Sequence, residues 1–214
     1  MIFADRAEAG ESLADALARF GGEDVVVLAI PRGGVVVAEP VARRLSAPLD
    51  VVAPRKVGAP GNPELGLGAV APGVRVLDER LVRELGVTPD YLDHEIAAQE
   101  EEIARRLEVF RRGRPPVDVA GRTVVVVDDG VATGGTAVAA CRWARAREAG
   151  KVVLAVPVAP GQAIPTLEQE VDELVVLATP DPFYAVGQWY RDFEQVGDEE
   201  VARVLDRAAR SGPK

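Results

Sequence analysis

The chain has 214 residues, a formal net charge of −9, one cysteine and one histidine. A single cysteine excludes an internal disulfide, and together with a single histidine it argues against a Cys/His metal site. We do not expect an acidic chain to bind nucleic acid or a membrane surface, because such binders normally carry a basic field. No apolar stretch is long enough to cross a bilayer, and residues 1–10 lack the pattern of a signal peptide. We therefore expect one domain in the cytoplasm.

The predicted elements alternate between strands and helices along the chain. Short apolar runs predict five strands covered on both faces, at residues 24–30, 49–53, 122–127, 151–156 and 174–178. Helices are predicted at residues 35–45, 88–112 and 133–149, and the second begins with an N-cap threonine and a proline, Thr88-Pro89. Glycines and prolines crowd residues 55–73, which predicts a loop with a short hairpin around residues 68–76. This order predicts an α/β fold: a mainly parallel, doubly wound sheet with helices on both faces.

The most informative segment is the run Val-Val-Val-Val-Asp-Asp-Gly-Val-Ala-Thr-Gly-Gly-Thr at residues 124–136. A buried strand delivers Asp128 and Asp129 at its carboxyl end, where ligands bind in open α/β sheets. The loop then enters a helix whose N-terminus supplies free N–H groups, and its glycines let a ligand approach the backbone. This chemistry suits a phosphate monoester, with the acids facing its sugar hydroxyls or a magnesium ion. A plain turn followed by a helix N-cap is the alternative, and a Walker-type loop is excluded because Gly-Lys-Ser/Thr is absent.

This run resembles the signature of the type I phosphoribosyltransferase family, which binds phosphoribosyl pyrophosphate (PRPP). The resemblance implies that Asp128 and Asp129 bind the ribose 2′- and 3′-hydroxyls and hold Mg²⁺ indirectly, through those hydroxyls or water. It implies that the loop binds the 5′-phosphate, through Ala132, Thr133, Gly134, Gly135 and Thr136. We expect one domain over residues 1–214, with a core at about 22–180, a helical insertion at about 88–113, and a small hood from the chain ends, residues 1–21 and 181–214.

Two shorter segments match the family at consistent places. Pro31-Arg32-Gly33-Gly34 follows the first predicted strand, and in the family that turn presents backbone N–H groups to pyrophosphate, beside a basic residue. The resemblance therefore implies that Arg32, Gly33 and Gly34 bind pyrophosphate. Arg55-Lys56 follows the second predicted strand and resembles the basic pair before the mobile catalytic loop, which makes residues 57–72 a flexible lid loop. Without the family, the first segment is a strand-to-helix turn and the second a solvated basic pair.

Transfer from PRPP passes through a cation-like ribose, so an enzyme must hold the sugar, stabilise the departing pyrophosphate and exclude water. We expect Asp128, Asp129, Arg55 and Lys56 to serve this step, with Mg²⁺ as the cofactor. Hypoxanthine–guanine enzymes resembling this family place an acid where Ala132 stands. The loop of this chain looks more like the adenine- and uracil-type loops. The acceptor and any general base stay unassigned.

Five of the ten aromatic residues fall within residues 183–193. Some family members place an aromatic residue after the last strand of the sheet, where it stacks on the base. Phe183 and Tyr184 stand at that place and are candidates for stacking a planar acceptor. The alternative is that the aromatics pack within the hood or at a subunit interface.

The sequence favours a phosphoribosyltransferase that acts on PRPP and a small planar, nucleobase-like acceptor, as a homodimer by analogy with similar proteins. A non-catalytic PRPP-sensing regulator of the same fold is the alternative, and a hydrolase or phosphatase with the acids as metal ligands is a third reading. The charge is uneven, because residues 30–60 hold five bases and two acids, whereas residues 161–200 hold ten acids and one base. We therefore expect a basic pyrophosphate side and an acidic C-terminal hood.

Overall fold

The computed structural model describes residues 2–211, and its helices and strands alternate through most of that range. In chain order they are α1 (Arg6–Ala16), β1 (Val25–Ala29), α2 (Gly33–Leu45), β2 (Leu49–Val51), β3 (Arg55–Ala59), β4 (Asn62–Ala71), β5 (Val74–Leu77), α3 (Glu79–Glu84), α4 (Pro89–Arg111), β6 (Thr123–Val127), α5 (Gly135–Ala146), β7 (Lys151–Val158), α6 (Ile164–Glu168), β8 (Glu173–Ala178) and α7 (Asp198–Ser211). Met1 and residues 212–214 of the expected domain lie outside the described residues. Within residues 2–211, no helix is both long enough and apolar enough to cross a membrane.

The main sheet has five parallel strands in the order β2-β1-β6-β7-β8. Along β1, Val25 and Val27 pack with α1, α2 and α7, whereas Val26 and Leu28 pack with α5 on the other face. Because both faces are buried, the strands are continuous apolar runs rather than alternating ones. The predicted fold class is confirmed, with shifts of two or three residues at the start of α2, the ends of β2 and β7, and both ends of α5.

A second, antiparallel sheet contains β3, β4 and β5 in that order. The prediction of a loop over residues 55–73 is therefore wrong, whereas the short hairpin predicted around residues 68–76 is present in the pairing of β4 with β5. Its glycines permit close strand contact instead of breaking the strands. A Cβ on Gly58 would lie 2.9 Å from Pro63 Cα, and one on Gly68 would overlap the Val76 carbonyl and lie 2.8 Å from Leu77 Cα. The high glycine content of this segment thus reflects close contacts and register shifts between paired strands, and not a segment without secondary structure.

The long helix α4 covers the outer face of this small sheet. It begins as predicted, with the Thr88 hydroxyl accepting a hydrogen bond from the Tyr91 N–H at 3.3 Å. Ile96 and Ile103 are buried against the small sheet, while Phe110 reaches the core beneath α7. The small sheet is thus held between α4 and α5, above the main sheet.

A buried ion pair ties the end of α4 to β2. Arg111 Nε lies 2.9 Å from Asp50 Oδ1, and Arg111 Nη2 lies 3.0 Å from Asp50 Oδ2. The Val51 carbonyl accepts a further bond from Arg111, and the Val117 N–H donates to Asp50. Only 6% of the Asp50 side chain and 14% of the Arg111 side chain are exposed. Both Asp50 oxygens and two nitrogens of the Arg111 guanidinium thus have hydrogen-bond partners, which offsets the cost of burying the charges.

Helices at both chain ends, which the sequence reading did not identify, pack on the main sheet. Leu13 and Leu17 in and after α1, and Val201 and Leu205 of α7, are buried in the same cluster as α2. The expected hood segments 1–21 and 181–214 thus contribute to the main core. Outside these helices, the N-terminal and C-terminal segments contact each other through a parallel β-bridge that joins Phe3 to Tyr190.

Candidate active site

The predicted turn at residues 31–34 and the acid pair meet at one point of the main sheet. The chain leaves β1 toward β2 on one side and leaves β6 toward β7 on the other, so the neighbours β1 and β6 form a topological switch point. A Cβ on Gly34 would lie 2.8 Å from the Val127 carbonyl oxygen and 2.9 Å from Asp128 Cα. The glycine therefore lets the turn rest directly on the backbone that carries the acids.

The two acids are mostly buried and in direct contact with each other. Asp128 Oδ1 accepts a hydrogen bond from the Asp129 N–H at 2.8 Å. Burial and the neighbouring Asp129 carboxylate raise the pKa of Asp128 well above its ordinary value. Burial also raises the pKa of Asp129, although the Arg6 guanidinium opposes that rise. A ligand that brought hydroxyl donors or a cation would stabilise the ionised pair.

Two residues from the chain ends reach this acid pair, and the sequence reading missed both. Arg6 Nε donates to Asp129 Oδ2 at 2.8 Å. The Tyr190 hydroxyl donates to the Asp129 carbonyl at 2.5 Å, and burial raises the pKa of Tyr190, which keeps that hydroxyl protonated. No local pattern could have identified Arg6, because 123 residues separate it from Asp129.

The predicted phosphate loop, residues 132–136, opens into a cavity of about 330 Å³ in front of α5. Gly134 has φ +89° at the N-cap of the helix, a left-handed conformation that favours glycine. The first N–H groups of α5 lack helical partners and carry the positive end of its dipole. Of the predicted phosphate ligands, Ala132 is exposed beside this cavity rather than lining it, and the others line it, namely Thr133, Gly134, Gly135 and Thr136.

The two residues of the predicted basic pair, Arg55 and Lys56, lie on β3 but contact different parts of the structure. Lys56 lines the cavity with the phosphate loop, and its Nζ donates to the carbonyl of Glu64 at 3.0 Å and lies 3.2 Å from the Glu64 carboxylate. Arg55 instead faces α4, where its guanidinium bonds Gln99 and lies 3.9 Å from Glu102. The structure brings Lys56, and not Arg55, to the phosphate loop.

The remaining predicted basic contact, Arg32, stands at the N-cap of α2. Its Nη1 lies 3.5 Å from Asp198 Oδ1 at the start of α7, and both side chains are partly exposed. The Pro31–Arg32 peptide bond is cis. Arg32 is therefore beside the glycine turn, with its guanidinium resting on a carboxylate of the acidic C-terminal segment.

The two predicted stacking residues have different surroundings. Phe183 lines an open cleft of about 340 Å³ with Gly161, Gln162 and Asp181, at the carboxyl ends of β7 and β8. Its ring stacks on Trp189, with centroids 6.2 Å apart. Tyr184 is 79% exposed and does not line the cleft. The geometry thus favours Phe183 over Tyr184 as a wall for a planar ligand.

A magnesium ion fits the donor set of the acid pair. Carboxylate oxygens are ligands that Mg²⁺ prefers, and it commonly binds through one or two carboxylates, substrate phosphates and water. Across residues 2–211, no group of three or more His, Cys, Asp or Glu side chains is placed to hold a metal ion. The described residues thus fit a cation that arrives with a phosphate ligand, rather than a protein-enclosed metal.

Comparison with known sequences gives consistent matches. Residues 4–176 match the model of the phosphoribosyl transferase domain family. Proteins named "Putative phosphoribosyl transferase" from two strains of Mycobacterium tuberculosis are 51% identical over 210 residues, covering 98% of this chain and 47% of theirs. The chain therefore spans about half the length of the curated relatives it matches. An adenine phosphoribosyltransferase of the same species is 36% identical over 138 residues, covering 63% of this chain and 47% of that protein.

A solved structure extends the likeness to the whole described fold. The crystal structure of TT1426 from Thermus thermophilus is 49% identical in sequence and superposes with a TM-score of 0.82. The match covers 96% of this chain and 98% of that chain. Fold and sequence thus agree over the elements that position the acid pair and the phosphate loop.

Proposed function

Because the chain belongs to the phosphoribosyl transferase family, as its resemblance in sequence implied, we propose that it transfers the 5-phosphoribosyl group of PRPP to a small planar acceptor and releases pyrophosphate. The observation that carries this proposal is the meeting of the glycine turn with Asp128 and Asp129 at the switch point of the sheet. A cavity lined by the phosphate loop and Lys56 adds a place for an anionic ligand.

Each part of PRPP has a matching group in the chain. The loop N–H groups and the hydroxyls of Thr133 and Thr136 would bind the 5′-phosphate. The free carboxylate oxygens of Asp128 and Asp129 would accept hydrogen bonds from the ribose hydroxyls. Lys56 would balance charge on the phosphates, and the backbone of the glycine turn, with Arg32 beside it, would face the pyrophosphate.

The reaction breaks the bond between ribose C1 and the pyrophosphate oxygen, and the electron pair leaves with pyrophosphate. Positive charge develops on the ribose, and the carboxylates of Asp128 and Asp129, bound to its hydroxyls, would stabilise it. Mg²⁺ bound with PRPP would neutralise part of the leaving-group charge. The acceptor nitrogen then bonds to C1 and gives up its proton to water or to the departing pyrophosphate. We expect the β3–β4 hairpin, whose tip at residues 60–65 is mostly exposed, to close over the site and exclude water.

The acceptor would enter the cleft beside Phe183. A planar base could lie against this ring, while the Gln162 amide and the Asp181 carboxylate could bond its edge. The adenine phosphoribosyltransferase relative makes adenine the first acceptor to test, and the absence of an acid at Ala132 agrees with that choice.

Pyrophosphate release in the presence of PRPP, Mg²⁺ and a panel of bases tests this function, with PRPP binding measured in parallel by calorimetry. Release with one base would identify the acceptor. PRPP binding without release for any base would favour the PRPP-sensing regulator, and no binding would refute both.

The acid pair supplies the matched variants. Asp128→Asn/Asp129→Asn should abolish PRPP binding, because neutral amides leave the ribose and its cation without carboxylate partners. Glu100→Gln/Glu101→Gln removes two adjacent carboxylates of α4 that line none of the cavities above, and it should bind PRPP as the wild type does. Equal affinity in both double variants would refute the assignment of the site.

A further inference from the structure

Arg6 lies where three parts of the proposed site converge. Its Nε bonds Asp129 Oδ2 at 2.8 Å, and its Nη1 donates to the Glu194 carbonyl at 2.8 Å. Its guanidinium carbon lies 3.8 Å from the centre of the Phe193 ring. Only 11% of the Arg6 side chain is exposed. The Arg6 guanidinium is mostly buried and held by three contacts. Its position is therefore fixed by the fold, unlike that of the side chains in exposed ion pairs elsewhere on the surface.

The pair of Arg6 and Asp129 also rests on the glycine turn. A Cβ on Gly33 would overlap Asp129 Oδ2 and lie 2.7 Å from Arg6 Nε. The absence of a side chain at Gly33 is therefore what allows the arginine to reach the acid. The helix α1 thereby connects the acid pair directly to the turn that the proposed function assigns to pyrophosphate.

The contacts leave each acid one oxygen for a ligand. Within residues 2–211, Asp128 Oδ1 accepts a hydrogen bond from the Asp129 N–H and Asp129 Oδ2 accepts one from Arg6, whereas no N–H or hydroxyl group donates to the other oxygen of either carboxyl. The two carboxyl groups lie within hydrogen-bonding reach of each other. Two remaining acceptors match the two adjacent hydroxyls of a ribose. Arg6 sets this arrangement for Asp129, because it occupies one oxygen and so fixes the rotation of the carboxylate.

We propose that Arg6 is a positioning residue of the PRPP site, which holds the Asp129 carboxylate so that its second oxygen accepts a ribose hydroxyl. This inference rests on the proposed function. Glu194 and Phe193 hold the guanidinium independently of Asp129, so Arg6 stays in place when a ligand binds. The attachment of α1 does not depend on Arg6, because Asp5 caps the helix and Leu13 and Leu17 bury it.

Calorimetric titration of PRPP with Mg²⁺ into Arg6→Met, Arg6→Lys and wild type tests the role. Loss of a charge-assisted hydrogen bond that orders the binding group should raise the Kd of Arg6→Met about tenfold or more. Lysine offers one compact ammonium in place of the guanidinium fork, so Arg6→Lys should recover part of the loss, with a Kd about threefold above wild type. With an active acceptor, the KM for PRPP should rise and the KM for the acceptor should not.

The matched control is Arg44→Met, which removes a different ion pair of α1, the one that joins Asp15 of α1 to Arg44 of α2 at 3.5 Å, without touching the site. Its Kd should equal that of wild type. A Kd for Arg6→Met within twofold of wild type, with a lowered Tm, would show a purely structural role and overturn the inference. If Arg6→Met does not fold, Arg6→Lys decides, and an unchanged Kd overturns the inference. Failure of the wild type to bind PRPP would instead refute the proposed function itself.

Discussion

Gly33 and Gly34 are neighbours in the turn after β1. Alanine at Gly34 should mainly lower stability, whereas alanine at Gly33 should mainly weaken PRPP binding. At Gly34, the new Cβ would lie 2.8 Å from the Val127 carbonyl oxygen and 2.9 Å from Asp128 Cα, which are backbone atoms of a central strand. At Gly33, it would meet the tips of two side chains, Asp129 and Arg6. Backbone of a central strand cannot yield without loss of sheet packing, whereas side-chain tips can rotate away.

The contact distances set the size of each effect. To relieve the close contacts of an alanine Cβ at position 34, the turn and β6 must separate by a few tenths of an ångström. Overpacking of this kind costs about 1–3 kcal/mol. For a chain of this length, each kcal/mol lowers Tm by about 2–4 °C. We therefore expect Gly34→Ala to lower Tm by about 4–8 °C for a cost near 2 kcal/mol. Gly33→Ala should lower Tm less, yet raise the Kd for PRPP about tenfold or more, because Asp129 is displaced.

Thermal unfolding and PRPP calorimetry on the two variants measure both effects. Gly161→Ala is the control for stability and for PRPP binding measured without an acceptor, because its Cβ would meet no atom within 4 Å and the backbone there needs no positive φ; Gly161 lines the proposed acceptor cleft and not the phosphate cavity. It should match the wild type in Tm and in Kd for PRPP. A Tm for Gly34→Ala within about 1 °C of wild type would refute the packing argument. Wild-type affinity in Gly33→Ala would refute the placement of Asp129 in the site.

Three further predictions concern single side chains. Lys56→Met should raise the Kd for PRPP about tenfold, because a cation at the phosphate cavity is lost, while Lys151→Met, which lines none of the cavities above, should leave the Kd unchanged; equal effects would contradict the assignment. Arg111→Met should lower the free energy of unfolding by about 3–5 kcal/mol in urea denaturation, because Asp50 stays buried without its cation, and a change below about 1 kcal/mol would contradict this. Burial raises the pKa of the Cys141 thiol to about 12, so the thiol stays protonated and enclosed at pH 8. Ellman's reagent should label it only after unfolding, and rapid labelling of the native protein would show that α5 is open.

Local patterns were sufficient to predict the main sheet and the long helix. Runs such as the four valines before Asp128 admit few alternatives to a buried strand, and Thr88-Pro89 marks the helix start through contacts within one turn. The phosphate loop could be predicted from local sequence as well, because the strand, the two acids, the glycines and the helix follow one another without interruption. All five strands and all three helices predicted from these runs are present for this reason.

Features that depend on distant contacts could not be predicted in this way. The small sheet was mistaken for a loop because its glycines act through packing against Pro63 and Val76, which composition does not reveal. The α7 helix does carry a helical apolar pattern, at Val201, Val204 and Leu205, which was a usable signal. The bond from Arg6 to Asp129 left no such signal, because it depends on how the N-terminal segment packs beside the end of β6, 123 positions along the chain.

The placement of charge explains how a chain of net charge −9 could bind a polyanion. Two of the cations proposed to face phosphate rest on carboxylates of the chain itself, Arg32 on Asp198 and Lys56 on Glu64. Both pairs are exposed, and exposed pairs contribute only about 0–1 kcal/mol, so an incoming phosphate can replace the carboxylate at little cost. The pair of Arg6 and Asp129 differs because it is mostly buried, and separating it would leave an uncompensated charge. On the proposed function, the exposed acids would therefore act as exchangeable counter-ions, whereas Arg6 would stay with Asp129 when PRPP binds.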